Sequence, residues 1–163
     1  MTEYHIANTS YLIALYRLNL LDAFFMDKQV YITERIYSEL VEKPLSKIQQ
    51  IKINSLRKKI LQSINKFKTL TEHKKLLIYS IEYSKMSKLL ELYRHKIAKL
   101  EKKKIDDVKA DHTIIALAVQ LATKGRKIFF YYSLDKAINN ILSKEIKQRN
   151  LKIIIIDTLR DLT

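Results

Sequence analysis

The stretch KADHTIIALAVQLATKGRKIFFYYSLD, residues 109–135, decides the fold class. Asp111 stands at the head of a run whose apolar residues recur at helical spacing, and Gly125, the only glycine of the chain, follows where that helix should end. The apolar and aromatic run 128–132 predicts a strand that is covered on both faces. Asp135 comes just after this strand. Functional groups of open α/β sheets gather at the carboxyl ends of the strands, so we expect chemistry near Asp135.

The segments on either side of this stretch show the same alternation of strand and helix. Asn8-Thr9-Ser10 has the composition of a turn and helix cap, and the only proline, Pro44, is expected to close a helix. The further strands are predicted at residues 4–7, 29–32 and 151–156, and the further helices at 11–25, 34–42 and 136–145. Strands that alternate with helices favour an α/β fold with a parallel sheet.

The middle of the chain carries all of its net charge. Of the 31 basic residues, 18 lie between residues 43 and 104 together with only four of the 17 acidic residues, so the segment accounts for the formal charge of +14. Apolar residues recur at intervals of three and four through 46–70, and again from Tyr79 to Leu100 over three heptads. This pattern predicts that 46–104 is a basic helical hairpin inserted into a single domain, 1–163. Alternatively, the second seam pairs with another subunit.

A projecting basic hairpin would attract a nucleic-acid backbone through counterion release and electrostatic steering. For any single lysine, the alternative to nucleic-acid contact is a position on a solvated outer face of a helix. The candidate nucleic-acid-binding residues are Arg57, Lys58, Lys59, Lys74, Lys75, Lys102, Lys103 and Lys104.

The composition excludes several other classes of site. The chain has no cysteine, so disulfides and thiolate metal sites are absent, and its four histidines lack the spacing of a zinc site. No apolar run approaches the ~20 residues of a membrane span. We therefore expect a soluble, cytoplasmic protein with no membrane partner.

Polar side chains at the predicted ends of elements are the candidates for chemistry: Asn8, Glu39, Asp111 and Asp135. Carboxylates without nearby histidine or cysteine suit hard cations such as Mg²⁺ or Mn²⁺. Such ions assist phosphodiester cleavage by activating water. For each acid alone, a helix cap, a partner of the helix dipole or a surface charge is the alternative interpretation.

The order of these residues resembles the four motifs of the PIN-domain nucleases. NTSYLI at residues 8–13 is similar to their D-T-S-x-L-I, and VYIT at 30–33 followed by SEL at 38–40 is similar to their second motif. DHTIIALA at 111–118 resembles D-x-x-I-x-A-L-A, and SLD at 133–135 resembles T/S-x-D. The third motif is most similar to that of archaeal PIN endonucleases that process ribosomal RNA, and the VapC toxins are similar as well.

The resemblance implies a three-layer α/β/α domain that binds one or two Mg²⁺ or Mn²⁺ ions and cleaves RNA, often as a dimer. Carried over by position, Glu39, Asp111 and Asp135 would be metal ligands, and Ser10 and Ser133 would support them. The toxin branch also implies an antitoxin-like protein partner.

The chain departs from the family at Asn8, where the family has aspartate. Asparagine offers a carbonyl oxygen without charge, which weakens a cation site. Two explanations fit: a natural loss or weakening of catalysis, with RNA binding retained, or an Asp→Asn change made to disarm a nuclease. The sequence thus predicts a PIN-type endoribonuclease that is weakened or inactive. A non-catalytic nucleic-acid-binding or assembly protein on a degenerate PIN scaffold is the alternative.

Overall fold

A five-stranded, all-parallel sheet forms the centre of the molecule in the computed structural model, which describes residues 3–133 and 135–157. The spatial order of the strands is β3-β2-β1-β4-β5. The strands are β1 (Glu3–Ala7), β2 (Val30–Thr33), β3 (Leu76–Tyr79), β4 (Lys127–Tyr131) and β5 (Ile153–Ile156). Helices flank the sheet, so the predicted α/β fold class with a parallel sheet is confirmed.

The helices connect successive strands. They are α1 (Thr9–Arg17), α2 (Leu21–Phe25), α3 (Glu34–Tyr37), α4 (Lys43–Ser46), α5 (Asn54–Glu72), α6 (Tyr83–Leu100), α7 (Asp111–Thr123) and α8 (Lys136–Arg149). A π-helical turn, Ser38–Glu42, joins α3 to α4, and two 3₁₀ turns, Ile48–Gln50 and Ile105–Asp107, lie in connections. In the described part of the chain, no helix has both the length and the apolar character needed to cross a membrane.

The centre of the sheet aligns the carboxyl ends of β1 and β4. Ile6 and Phe130 are fully buried and stand opposite each other in the register. Ala7 faces Tyr131 at the end of the pair, and the amide of Asn8 donates a hydrogen bond of 3.1 Å to the Tyr131 carbonyl. The segments that follow the two strands therefore leave the sheet side by side.

The helix predicted over 11–25 is interrupted in the structure. Asn19 adopts a left-handed conformation (φ 58°), and the amide of Leu20 closes the end of α1 by donating to the Leu15 carbonyl at 2.9 Å. Asparagine tolerates this conformation better than most residues. The apolar pattern continues past the break between α1 and α2, since Leu21 and Phe25 of α2 are also buried in the core.

The helical-hairpin interpretation of residues 46–104 is wrong, because a strand lies between the two long helices. β3 pairs in parallel with β2, from Val30 opposite Leu76 to Thr33 opposite Tyr79. Right-handed crossovers in this strand order place α5 on one face of the sheet and α6 on the other, where α6 packs against α7 and α8. The segment is part of the central fold, and its basic residues are divided between two faces of the molecule.

The heptad seam of α6 is covered within the chain. Met86, Leu90, Tyr93 and Ile97 are buried, and their helix packs against α7 and α8. The part of the seam at the centre of α6 is therefore not available to a second subunit. A homodimer and an antitoxin-like partner stay predictions that would need another surface.

Gly125 ends α7 as the sequence predicts. Its φ is 84°, and the amide of Arg126 donates to the Leu121 carbonyl at 3.2 Å while the amide of Gly125 donates to the Ala122 carbonyl at 3.0 Å. These are the two hydrogen bonds of a Schellman motif.

Gly125→Ala is expected to lower the free energy of unfolding by roughly 1–2 kcal/mol, because an L-residue is strained at this positive φ. Crowding plays no part, since among the described residues no atom beyond the two chain neighbours lies within 4 Å of the added methyl position. Urea denaturation measures the change, with Lys124→Ala, at the preceding C-cap, as the control that stays near wild type. Equal stability of Gly125→Ala and wild type would show that the turn relaxes without strain.

Candidate metal centre

Three carboxylates from three different segments meet at the carboxyl end of the sheet. In the described ranges, Glu101, Asp111 and Asp135 each offer an oxygen, and these oxygens lie within 4.8 Å of one another. Glu101 follows α6 as its C-cap, Asp111 is the first residue of α7, and Asp135 is the N-cap of α8. The arrangement is a group of oxygen donors that could hold a metal ion.

Local helix chemistry explains why Asp111 and Asp135 stand where they do. The Asp135 side chain accepts a hydrogen bond of 2.9 Å from the amide of Ile138, which is the usual contact of an N-cap. Asp111 lies in the first turn of α7, where the helix dipole favours a negative charge. The sequence predicted both acids at element ends, and the structure brings them together. Leu134, which lies between Ser133 and Asp135 in the fourth motif, is outside the described residues.

Glu101 is the member of the group that the sequence analysis missed. Lys102 adopts a left-handed conformation (φ 52°), and the amide of Lys103 donates to the Ala98 carbonyl at 3.0 Å, which turns the chain sharply after α6. In the sequence, Glu101 stands directly before the basic run 102–104, which masks it. Helix C-termini favour cations, so a glutamate at the end of a lysine-rich helix is unusual. This was the signal in the sequence that could have indicated Glu101.

Mutual repulsion and burial perturb the carboxyl groups. The pKa of Asp111 is raised to about 7, first by burial, then by the negative charges of Asp135 and Glu39 and by a hydrogen bond with Asp135. Burial also raises the pKa of Asp135, and the charge of Glu101 adds to it, while the amide of Ile138 opposes the rise. Ionising Asp111 and Asp135 together is unfavourable unless a cation compensates.

Lys103 supplies positive charge at the edge of the group. Its Nζ lies 2.5 Å from Glu101 Oε2, and the ion pair with Glu101 raises the pKa of Lys103, with further contributions from Asp111 and Asp135. Lys102 and Lys104 are exposed beside it. This predicted basic cluster therefore borders the acids.

The other predicted basic clusters lie elsewhere. Lys74 and Lys75 precede β3 at the amino end of the sheet, where the Lys75 carbonyl accepts a hydrogen bond from the amide of Val30. The length of the strand, about 15 Å, therefore separates them from the acids. The guanidinium of Arg57 folds back onto the Ile51 carbonyl, with Nε at 3.1 Å. The side chains of Lys58 and Lys59 are exposed on the first turns of α5, and Lys59 borders a groove described below.

Glu39 lies near the three carboxylates but outside their close group. It belongs to the π-helical turn, its side chain accepts a hydrogen bond of 3.3 Å from Thr9 Oγ1, and burial raises its pKa. Its charge reaches Asp111, whose pKa it helps to raise. The predicted ligands Glu39, Asp111 and Asp135 are thus brought to one region, with Glu101 in the place closest to the two aspartates.

Asn8 acts as a helix cap. The residue is only 1% exposed, and its Oδ1 accepts a hydrogen bond of 3.0 Å from the amide of Tyr11 at the start of α1. It follows β1 directly, at the same edge of the sheet as the acids. Of the predicted supporting residues, Ser10 is exposed on the first turn of α1, and Ser133 is buried just after β4.

An ion pair of the buried carboxylate of Glu145 links α8 to α6. Glu145 of α8 is 3% exposed, and its carboxylate lies 2.9 Å from Arg149 Nε and 3.6 Å from Lys96 Nζ of α6. The charge of Glu145 also raises the pKa of Tyr93, although burial is the larger cause. The two helices that carry acids are thereby held together by a polar contact within their interface.

One cleft is lined by two of the three acids, and a second by Glu39. Glu101 and Asp135 line a cleft of about 420 Å³ together with Lys136 and Asn140 of α8. Glu39 lies at the end of a larger groove of about 740 Å³ between α1 and α5, whose lining includes Tyr16 and Leu56. Glu101 and Asp135 can therefore be reached from solvent through the smaller cleft, and Glu39 through the larger groove.

The fold and this site define an α/β protein with a carboxylate cluster that could hold a metal ion. No protein-family model matches the chain. A comparison with curated proteins also found no significant match. The likeness to PIN-domain nucleases thus rests on the four short motifs and on the position of their acids.

Proposed function

We propose that the chain is a PIN-type, metal-dependent endoribonuclease whose catalysis is weakened by Asn8. The observation that carries the proposal is the convergence of Asp111 and Asp135, from two separate motifs, with Glu101 to within 4.8 Å. Their place at the carboxyl end of a parallel sheet is where such folds hold their ligands.

The donor set fits Mg²⁺ or Mn²⁺. All three side chains offer carboxylate oxygens, which these hard cations prefer. Burial, followed by the charges of Asp135 and Glu39, raises the pKa of Asp111, and a bound cation would oppose both effects. Glu101, Asp111 and Asp135 would hold the ion, and Glu39 would add negative charge beside them. When bound, such an ion lowers the pKa of water and stabilises negative charge on a phosphate during hydrolysis.

The chain's own residues provide the rest of the site. Lys103, now paired with Glu101, lies where it could instead pair with a phosphate oxygen of RNA. Thr9 orients the Glu39 carboxylate through its hydroxyl. Asn8 holds the start of α1 but contributes no charge, so the cation is bound more weakly than with aspartate at this position.

A second candidate function is nucleic-acid binding without cleavage. It is favoured by the uncharged Asn8 and by Lys103, which already compensates one carboxylate of the group. In that case salt-sensitive binding of RNA or DNA would survive the loss of Asp111 and Asp135. Cleavage separates the two functions directly.

Glu101→Gln is expected to weaken Mn²⁺ binding by roughly 10–100-fold and to lower cleavage of single-stranded RNA in parallel, since it removes one carboxylate from the group. Calorimetric titration with Mn²⁺ and a gel assay of a labelled RNA measure the two effects. Glu82→Gln is the matched control, because Glu82 is also a glutamate at an end of α6 that pairs with a lysine, Lys85 at 2.8 Å. Equal Mn²⁺ affinity of both variants and wild type would remove Glu101 from the site.

A further inference from the structure

A third cleft, which no sequence motif indicated, is lined in part by Lys109 and Ala110, the two residues before Asp111. Its volume is about 400 Å³, and it lies among α3, α4, α6 and the segment that leads into α7. Its charged lining residues are Arg35, Lys43, Arg94, Asp106 and Lys109. Four of these residues are cationic and one is acidic, so the cleft is strongly positive beside an acidic site.

Backbone carbonyls hold the two arginines of this cleft in place. Arg35 Nη1 donates to the Lys109 carbonyl at 3.2 Å, and Arg94 Nε donates to the Ile105 carbonyl at 3.2 Å. The side chain of Arg94 is only 25% exposed. Because the guanidinium groups are already oriented, less conformational entropy is lost when they bind an oxyanion.

The acidic residue of the cleft neutralises little of this charge. Asp106 lies 3.3 Å from Arg94 Nη2, but its side chain is 97% exposed, and exposed ion pairs of this kind are weak. Each guanidinium has further N–H groups beyond those bound to carbonyls. Arg94 Nη1 also lies 3.8 Å from Oε1 of the exposed Glu91, so an incoming oxyanion competes with two exposed carboxylates for Arg94.

A buried histidine sets the orientation of Arg35. His112 is 3% exposed, and its Nε2 lies 3.3 Å from Arg35 Nη1. A guanidinium can only donate, so the imidazole accepts this hydrogen bond through Nε2.

The cleft is placed to receive the same ligand as the acids. Ser38 precedes Glu39, and Ala110 precedes Asp111, so two of the lining residues adjoin side chains of the acidic region. An anion bound by the arginines would lie next to the carboxylates without contacting them. A polynucleotide could occupy both sites, with one phosphate bound by the arginines and the neighbouring phosphate near a cation held by the acids.

We infer that the cleft between Arg35 and Arg94 binds a backbone phosphate of a polynucleotide, adjacent to the phosphate that the acidic group addresses. The inference rests on the proposed nuclease function for the ligand's identity. It is carried by the four cations, by the carbonyl-held guanidiniums and by the cleft's position next to Asp111.

The test is binding of a fluorescein-labelled single-stranded RNA to the full chain in EDTA, where no metal-dependent cleavage takes place. Arg94→Gln and Lys109→Gln are each expected to weaken binding by roughly 3–30-fold and to reduce the slope of log affinity against log salt by about 0.7, the value for one lost phosphate contact on a single strand. Lys109 is exposed, so its variant does not disturb the core. Lys152→Gln is the charge-matched control, because Lys152 is exposed at the amino end of β5, and it should bind like wild type.

The outcomes separate the sources of phosphate and the two proposals. Unchanged affinity and salt slope in both Arg94→Gln and Lys109→Gln would overturn the inference. So would calorimetric binding of inorganic phosphate that Arg94→Gln abolishes while RNA affinity is unaltered, since the cleft would then be a free-phosphate site. If both variants weaken RNA binding but no form of the protein cleaves RNA, the phosphate site is supported and the nuclease function fails.

Discussion

Asn8→Asp is expected to raise Mn²⁺-dependent cleavage of RNA by roughly 100-fold, the scale of a single electrostatic contribution in an active site. Asn8 follows β1 at the edge of the sheet where the acids lie, and its Oδ1 caps α1 by accepting from Tyr11. Aspartate can make the same cap, so the substitution adds a charge while keeping the local contact. The added carboxylate should strengthen cation binding as well.

A cleavage assay with a panel of single-stranded and structured RNAs measures this effect. Asn8→Ser is the matched control, since serine caps a helix without bringing charge and should cleave no faster than wild type. The double variant Asn8→Asp/Asp111→Ala should lose the gain. If Asn8→Asp cleaves none of the RNAs, in Mg²⁺ or Mn²⁺, the nuclease proposal should be abandoned.

Asp111→Asn is expected to make the metal-free protein more stable at pH 8 by roughly 2–4 kcal/mol. The pKa of Asp111 is about 7 in the folded protein against an ordinary value of 3.8, so the folded state holds this proton more tightly than the unfolded chain. The stabilisation from the bound proton is complete below pH 4 and is lost as the pH rises through 7. Asparagine cannot ionise and avoids the loss.

Urea denaturation in EDTA at pH 4, 6 and 8 measures the difference in the free energy of unfolding between Asp111→Asn and wild type. This difference should be near zero at pH 4 and largest at pH 8. Saturating Mn²⁺ should then stabilise wild type at pH 8 and leave Asp111→Asn nearly unchanged. Asp107→Asn, which changes an exposed aspartate in the turn before α7, is the control and should follow wild type at every pH. If Asp111→Asn is no more stable than wild type at pH 8, Asp111 ionises without cost in the folded protein.

For Asp111→Asn and for Asn8→Asp, the expected change in stability without metal is opposite in sign to the expected change in cleavage. This opposition distinguishes a functional site from a structural one. Asp111→Asn should stabilise the metal-free protein and abolish any cleavage, whereas Asn8→Asp should increase cleavage and add repulsion in the absence of metal. Charges that destabilise a fold are retained where a ligand compensates them.

The sequence by itself determined the elements around its central stretch. Gly125 ends α7 and 127–131 forms a buried strand, because both depend on local backbone conformation and on an uninterrupted apolar run. The position of Asp111 at a helix start and that of Asp135 just after a strand were likewise predicted, since both depend on elements formed by neighbouring residues. These features need only neighbours along the chain.

Only the tertiary structure decided that Leu76–Tyr79 is a strand and that Glu101 belongs with the aspartates. Leu76–Tyr79 is four residues long and continues the helical pattern on both sides, and its pairing partner is β2, more than 40 residues earlier. Glu101 joins the site because the chain turns after α6 and α6 packs on α7 and α8. The cleft of Arg35 and Arg94 likewise combines residues from distant segments. Such contacts depend on which elements become neighbours in space, and spacing along the chain carries no direct record of that.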